Sequence, residues 1–96
     1  MLNQWESQIV ATASRACGAP SARAIDERLR VGRAEYGEWA WGRVPPARDV
    51  HEELWDAAVY AAAEWRARRS WRAAARLAVI GAATRVVLWL DAGVGR

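Results

Sequence analysis

The chain has no lysine and no phenylalanine, and it has one cysteine and one histidine among its 96 residues. Without lysine there is no side chain for Schiff-base chemistry and no lysine for a phosphate-binding loop. A single Cys17 and a single His51 exclude an intrachain disulfide, a cysteine-rich zinc site and a His-x-x-x-His pair. Any bound metal is therefore expected to be a hard cation held by carboxylates, Mg²⁺ or Mn²⁺ and not zinc.

Long hydrophobic runs are also missing. The most apolar stretch, 77–92, contains Arg85 and is shorter than the roughly 20 residues that a bilayer-spanning helix needs. The N-terminal sequence Met-Leu-Asn-Gln-Trp-Glu lacks the basic-then-apolar pattern of a signal peptide. We expect a cytoplasmic protein that does not associate with a membrane.

All 14 basic residues are arginine, and the net charge is +3. Genomic base composition is the simplest explanation of the missing lysine, and selection for bidentate anion binding is the functional one. The net charge is too small to argue by itself for nucleic acid. Length predicts one helical domain over 1–96, for which dimerisation is a source of extra stability.

The pattern of apolar residues and helix-ending residues predicts four helices. The first covers 5–17 and ends at Gly18, and Ser21 caps a second that runs to about residue 36. Asp49 and Glu52 form a capping-box pattern that opens the third.

The last helix, 71–92, either starts at a Ser70 cap or continues the third helix. It is apolar on most of its circumference, which is typical of a helix buried centrally or at a dimer contact. We expect an all-α, four-helix bundle-like domain that forms a homodimer.

Two acidic pairs of equal spacing flank the proline-containing loop: Glu35-x-x-Glu38 and Glu53-x-x-Asp56. Side chains three residues apart on a helix are neighbours, so each pair can converge on one point. Clustered carboxylates beside an apolar interior are costly unless a cation or arginines neutralise them. The alternative is that these acids are solvated surface residues paired with nearby arginines.

The segments ERLRVGRAEYGE (27–38) and EELWDAAVY (52–60) resemble small phage and bacterial proteins with a G-x-x-x-YG(D/E)…EEL-x-D signature. These are similar to the all-α nucleotide pyrophosphohydrolases of the MazG-like type. The resemblance covers about 23–65. It implies that the pairs Glu35/Glu38 and Glu53/Asp56 hold Mg²⁺ for hydrolysis of a nucleoside triphosphate. The first pair departs from the family pattern because it lacks a doubled glutamate and contains Gly37.

The expected acidic metal and nucleotide site occupies 28–60. A carboxylate that orients or deprotonates water is needed for attack on phosphorus, and Glu38 and Glu53 are the candidates for this catalytic role. For each ring there is an alternative role, core filling for the tyrosines and anchoring of the loop for the tryptophan. The candidates for nucleotide contacts combine arginines for phosphate with aromatic rings for the base: Arg28, Tyr36, Trp39, Tyr60 and Arg85.

A rival signal is the arginine-rich segment 66–76, which is interleaved with Trp65 and Trp71. Arginines beside aromatic rings can bind nucleic acid, although such a segment is more often a solvated face or a protein contact. The alternative functions are therefore a non-enzymatic, phage-type regulatory protein that binds or inhibits a host factor, or a nucleic-acid-binding accessory module. Nucleic acid is the less favoured of these partners.

Overall fold

The computed structural model describes residues 1–94, and this part of the chain is helical with no β-strand. Its four α-helices are α1 Gln4–Cys17, α2 Ala22–Tyr36, α3 Ala47–Arg68 and α4 Trp71–Trp89. A 3-10 turn, Ala19–Ser21, precedes α2, and a π-helical turn, Leu90–Val94, follows α4. The prediction of an all-α chain with four helices is confirmed.

The bounds of α1 follow from local chemistry at both ends. The Asn3 side chain accepts a hydrogen bond from the Glu6 backbone N–H, and the Glu6 carboxylate accepts one from the Asn3 backbone N–H, each at 2.8 Å. This reciprocal arrangement is a capping box. Gly18 follows the last residue with φ 93°, in a region that glycine enters at little cost.

One predicted helix start has the right position and one is wrong. Helix α2 begins directly after Ser21, which occupies the N-cap position, although its backbone angles are already helical and its side chain makes no cap hydrogen bond. Asp49 does not open α3, which starts at Ala47 after Pro46. Proline has no N–H to leave unpaired, so it suits a helix start. Asp49 lies instead in the first turn, where a negative charge favours the helix dipole.

Helices α3 and α4 are separate. Arg69 adopts a left-handed conformation with φ 53°, and its N–H donates to the Trp65 carbonyl at 3.0 Å. The Ser70 hydroxyl then accepts a hydrogen bond from the Ala73 N–H at 3.2 Å. Of the two alternatives for this segment, the Ser70 cap is the one the structure has.

The helices form two compact units, Met1–Val44 and Pro45–Arg96. In the first, α1 packs against α2, and in the second, α3 packs against α4. Among the described residues, the buried apolar side chains are only Ala61 and Ala73, both in the second unit. The expectation of a single domain over 1–96 stays a prediction.

Most of the apolar surface of α4 is exposed within the chain. Val79, Val86 and Trp89 are each more than half exposed, and Ala73 is the fully buried residue of the helix. Central burial of this helix is therefore not seen in the chain. By length and composition alone, Trp71–Gly93 is apolar enough to cross a membrane, a test that core helices of soluble proteins also pass. The expected cytoplasmic location stays a prediction.

Candidate functional site

The first acidic pair is divided by a helix end. Glu35 is the last residue but one of α2, whereas Glu38 lies beyond Gly37, whose φ of 90° ends the helix. The two carboxylates therefore do not have the one-turn spacing that a continuous helix would give. Both side chains are exposed.

Glu38 is tied to the start of α1. The side-chain amide of Asn3 donates to Glu38 Oε1 at 2.7 Å and to the backbone oxygen of Trp39 at 3.0 Å. Because one carboxylate oxygen accepts from a fixed amide, the direction of the Glu38 side chain is set by α1. The second oxygen remains an acceptor for water or for a cation.

The second acidic pair has the helical geometry that the sequence predicts. Glu53 and Asp56 lie three residues apart in α3, so their Cβ atoms are about 5–6 Å apart. Both side chains are exposed, and in the described part of the chain neither takes part in an ion pair. The neighbouring Glu52 is different, since it faces Arg48 at 3.6 Å.

Tyr60 lies one turn beyond Asp56 and is 75% exposed. Tyr36, in the first unit, is also an exposed ring, and the hydrogen bond to the neighbouring Glu35 carboxylate raises the pKa of its phenol. The ring of Tyr36 is 80% exposed, which contradicts core filling as its role within the chain. Two tyrosine rings are thus accessible to a ligand, each close in sequence to a candidate metal-binding acid.

Trp39 and Trp41, in the loop after α2, contact other residues of the chain. Trp39 donates from its indole Nε1 to the Arg43 carbonyl at 3.0 Å, and the Arg43 guanidinium lies 5.8 Å from the ring centroid. Trp41 packs on Trp5 with centroids 5.0 Å apart. These contacts favour loop anchoring over base stacking for both rings. The two candidate phosphate ligands, Arg28 and Arg85, have exposed side chains in different units.

Glu6 is a buried carboxylate that the sequence analysis did not single out. Its side chain is fully shielded from solvent and pairs with Arg33 Nε at 3.0 Å. It also accepts hydrogen bonds from the backbone N–H groups of Asn3, at 2.8 Å, and Trp39, at 3.0 Å. The pattern Asn3-x-x-Glu6 is a capping-box signature and could have been found in the sequence. The pairing with Arg33 could not.

Two opposing influences act on the pKa of Glu6. Burial raises it, whereas the hydrogen bonds from the Trp39 and Asn3 backbones and the charge of Arg33 lower it. The lowering influences are stronger, so the pKa of this carboxyl lies below its ordinary value. Glu6 is ionised at neutral pH and holds the loop after α2 against α1.

A second contact that the sequence did not predict joins the first part of α3 to the π-helical turn after α4. This is the open end of the α3/α4 hairpin, opposite the turn at residues 69–70. His51 Nε2 and Asp91 Oδ2 are 2.6 Å apart, and the His51 ring centroid is 5.9 Å from that of Trp55. The sequence analysis had left His51 without a role. Its spacing of 40 residues from Asp91 gives no sequence signal, because the contact depends on how the two helices pack.

The turn between α3 and α4 carries stacked arginines. Arg69 lies 5.1 Å from the Trp65 ring centroid and Arg72 lies 5.1 Å from that of Trp71. Trp71 is 74% exposed. Arg76 is different, because Glu64 holds it at 2.7 Å.

Neither unit brings together a complete metal site by itself. Within the described residues no group of three or more histidine, cysteine or acidic side chains is arranged to hold a metal ion. The donor chemistry nevertheless fits Mg²⁺, which is usually held by one or two carboxylates together with waters and substrate phosphates. Glu53 and Asp56 supply two such carboxylates. A ring of four acids around one cation stays a prediction.

Comparison of the chain with protein-family models, with curated proteins and with solved structures finds no match. The assignment of a function therefore depends on the residues themselves.

Proposed function

We propose that this chain is a MazG-like, Mg²⁺-dependent nucleotide-binding protein that hydrolyses a nucleoside triphosphate to a monophosphate and pyrophosphate. The observation that carries the proposal is the exposed face of α3 formed by Glu53, Asp56 and Tyr60. Two carboxylates without arginine partners, one helical turn apart, repel each other unless a cation is shared between them. The exposed ring of Tyr60 lies one turn further along α3.

Glu53 and Asp56 would hold the cation through their carboxylate oxygens, and Glu35 and Glu38 stay candidate ligands because of the family resemblance alone. When bound, Mg²⁺ or Mn²⁺ neutralises charge on the phosphate oxygens. A carboxylate would accept the proton of the attacking water. The candidates are Glu53, on the same helix as Asp56, and Glu38, which has one carboxylate oxygen that Asn3 does not occupy.

The remaining candidates position the substrate. Tyr60 and Tyr36 offer accessible rings for stacking on the base, which tolerates different bases because each has a π-face. Arg28 and Arg85 are each, within their own unit, a candidate contact for phosphate oxygens, for which a guanidinium offers paired donors. Trp39 acts on the site indirectly in this proposal, because its contacts fix the loop that carries Glu38.

Pyrophosphate release from a panel of ribo- and deoxyribonucleoside triphosphates tests the proposal. Wild-type protein with Mg²⁺ or Mn²⁺ should release pyrophosphate from at least one triphosphate, and Glu53→Gln or Asp56→Asn should abolish it. Glu52→Gln is the matched control, because Glu52 is on the same helix but faces Arg48. Equal turnover in wild type and Glu53→Gln, or no turnover with any nucleotide, argues against the enzyme.

The second candidate function is a non-enzymatic interaction module. The stacked arginines Arg69 and Arg72, beside the exposed Trp71 ring, favour it. If the turn binds nucleic acid, affinity should fall with salt and should be weakened in the double variant Arg68→Ala/Arg69→Ala. If it binds a host protein, binding of that protein should be insensitive to Glu53→Gln.

A further inference from the structure

Helix α4 has two stripes of small and apolar residues at the same spacing. The shielded stripe consists of buried or half-buried residues, Ala73, Leu77, Ile80, Thr84 and Val87. The second stripe is exposed and is named here the outer stripe: Ala75, Val79, Ala82, Val86 and Trp89. Alternating steps of four and three residues are the spacing at which one helix packs lengthwise on another. Helix α3 packs on α4, and the residues of the outer stripe remain exposed.

We propose that the outer stripe binds a second copy of this chain, with the two α4 helices antiparallel and Ala82 of each near the centre of the contact. The proposal concerns an interaction surface and does not depend on nucleotide hydrolysis. It gives a specific form to the homodimer expected from the sequence.

The charges of the α3/α4 hairpin favour the antiparallel orientation. The open end, where α3 begins and α4 ends, carries more acids than bases, since Arg48 and Arg85 are accompanied by Asp49, Glu52, Glu53, Asp56 and Asp91. The turn end is basic, since Glu64 is accompanied by Arg66, Arg68, Arg69, Arg72 and Arg76. Antiparallel copies place each acidic end beside a basic end, whereas parallel copies place like charges together. A second copy of the chain therefore offers a charge distribution that complements that of the first.

The sizes of the side chains also suit this pairing. With Ala82 at the centre, the small Ala75 of one copy lies level with the large Trp89 of the other, and Val79 lies level with Val86. Alternation of small and large residues across facing helices fills space. Trp71 and Trp89 are 74% and 53% exposed. Together they can bury about 250 Å² of ring surface per copy, towards the roughly 800 Å² per partner of a standard interface.

A bilayer suits the same surface less well. Arg85 is exposed near the middle of Trp71–Gly93, where its charge would lie deep in the hydrocarbon. At the edge of a protein interface the same side chain can extend its guanidinium into water. The acids of α3, packed alongside α4, are a further cost in lipid.

Sedimentation velocity at micromolar concentrations tests the contact. Wild-type protein should sediment as a dimer, and Val86→Glu should weaken association at least tenfold while circular dichroism still reports helix. The matched control is Val31→Glu, at a half-exposed valine of α2, which should remain dimeric. If Val86→Glu loses its helices, Val79→Gln provides the second variant. A monomeric wild type, or a dimer unaffected by both variants, overturns the proposal.

Cysteine cross-linking tests the orientation, in a Cys17→Ser background that removes the one native thiol. Ala82→Cys should form a disulfide dimer on mild oxidation. Ala75→Cys should do so at least tenfold more slowly, because the two sites are about 20 Å apart along antiparallel helices. Efficient cross-linking at both positions indicates parallel helices and overturns the proposal. Loss of the Ala82→Cys cross-link on binding to lipid vesicles also overturns it, because a bilayer would then occupy the stripe.

Discussion

The Glu6 carboxylate of α1 is fully shielded from solvent and pairs with Arg33 of α2 at 3.0 Å. A buried charge is tolerated only where its hydrogen bonds are satisfied, and Glu6 has backbone donors on both sides in addition to the guanidinium. The same carboxylate receives the Trp39 N–H, so it joins α1, α2 and the loop that contains Glu38. We infer that this pair holds the first unit together.

Arg33→Ala should destabilise the protein more than any exposed arginine variant, because it leaves a buried carboxylate without its charged partner. We expect the midpoint of thermal unfolding to fall by about 10 °C. Arg30→Ala is the matched control, since Arg30 lies three residues away and pairs with Asp26 on the exposed surface of the same helix. A fall of about 2 °C or less is expected there. Similar losses in both variants would contradict a special role for the buried pair.

Acid should weaken the first unit through Glu6. Because the folded-state pKa of this carboxyl is lowered from 4.5, its contribution to stability is present above the unfolded-state pKa and is lost as pH falls through the folded-state pKa. Thermal melts of wild type and Glu6→Gln should therefore differ most near pH 7 and converge towards acid. A difference that stays constant from neutral pH to pH 3 would show that the charge of Glu6 is irrelevant.

The Asn3 side chain should have two separable functions. Asn3→Ala removes both the helix cap and the donor to Glu38, so it should lose about 1 kcal/mol of stability and, in the proposed enzyme, about tenfold in kcat. Asn3→Ser retains a capping oxygen but has no amide to reach Glu38. We expect Asn3→Ser to be about as stable as wild type, but to have the same lowered kcat as Asn3→Ala. Full activity in Asn3→Ser would mean that the orientation of Glu38 does not matter.

A double-mutant cycle of His51→Ala and Asp91→Ala should reveal a coupling between α3 and the π-helical turn that follows α4. The two side chains are 2.6 Å apart and partly exposed, so we expect a coupling of about 0.2–1 kcal/mol in urea unfolding at neutral pH. The sum of the single effects should exceed the effect of the double variant. Additive effects would show that the contact contributes nothing to the hairpin.

The sequence predicted the helices where a local signal marks their ends. Gly18 and Gly37 end α1 and α2, and Ser70 caps α4 through its own hydroxyl. The start of α3 was misplaced because Asp49 offered a capping pattern, although Pro46 already suits that position three residues earlier. Local propensity cannot decide between two acceptable starts.

The candidate site was predictable to a lesser degree. The one-turn spacing of Glu53 and Asp56 follows directly from helical periodicity. The tie between Asn3 and Glu38 spans 35 residues, and the Glu6–Arg33 pair spans 27, so both depend on how α1 packs on α2. No pattern of neighbouring residues carries that information.

The central claim is that Glu53 and Asp56 bind a divalent cation together with a triphosphate. Titration of Mn²⁺, followed by electron paramagnetic resonance, in the presence of an α,β-methylene nucleoside triphosphate tests it without requiring turnover. Wild type and Glu52→Gln should bind Mn²⁺ with equal affinity, and Glu53→Gln or Asp56→Asn should bind at least tenfold more weakly. Equal Mn²⁺ affinity in all four proteins would contradict the account.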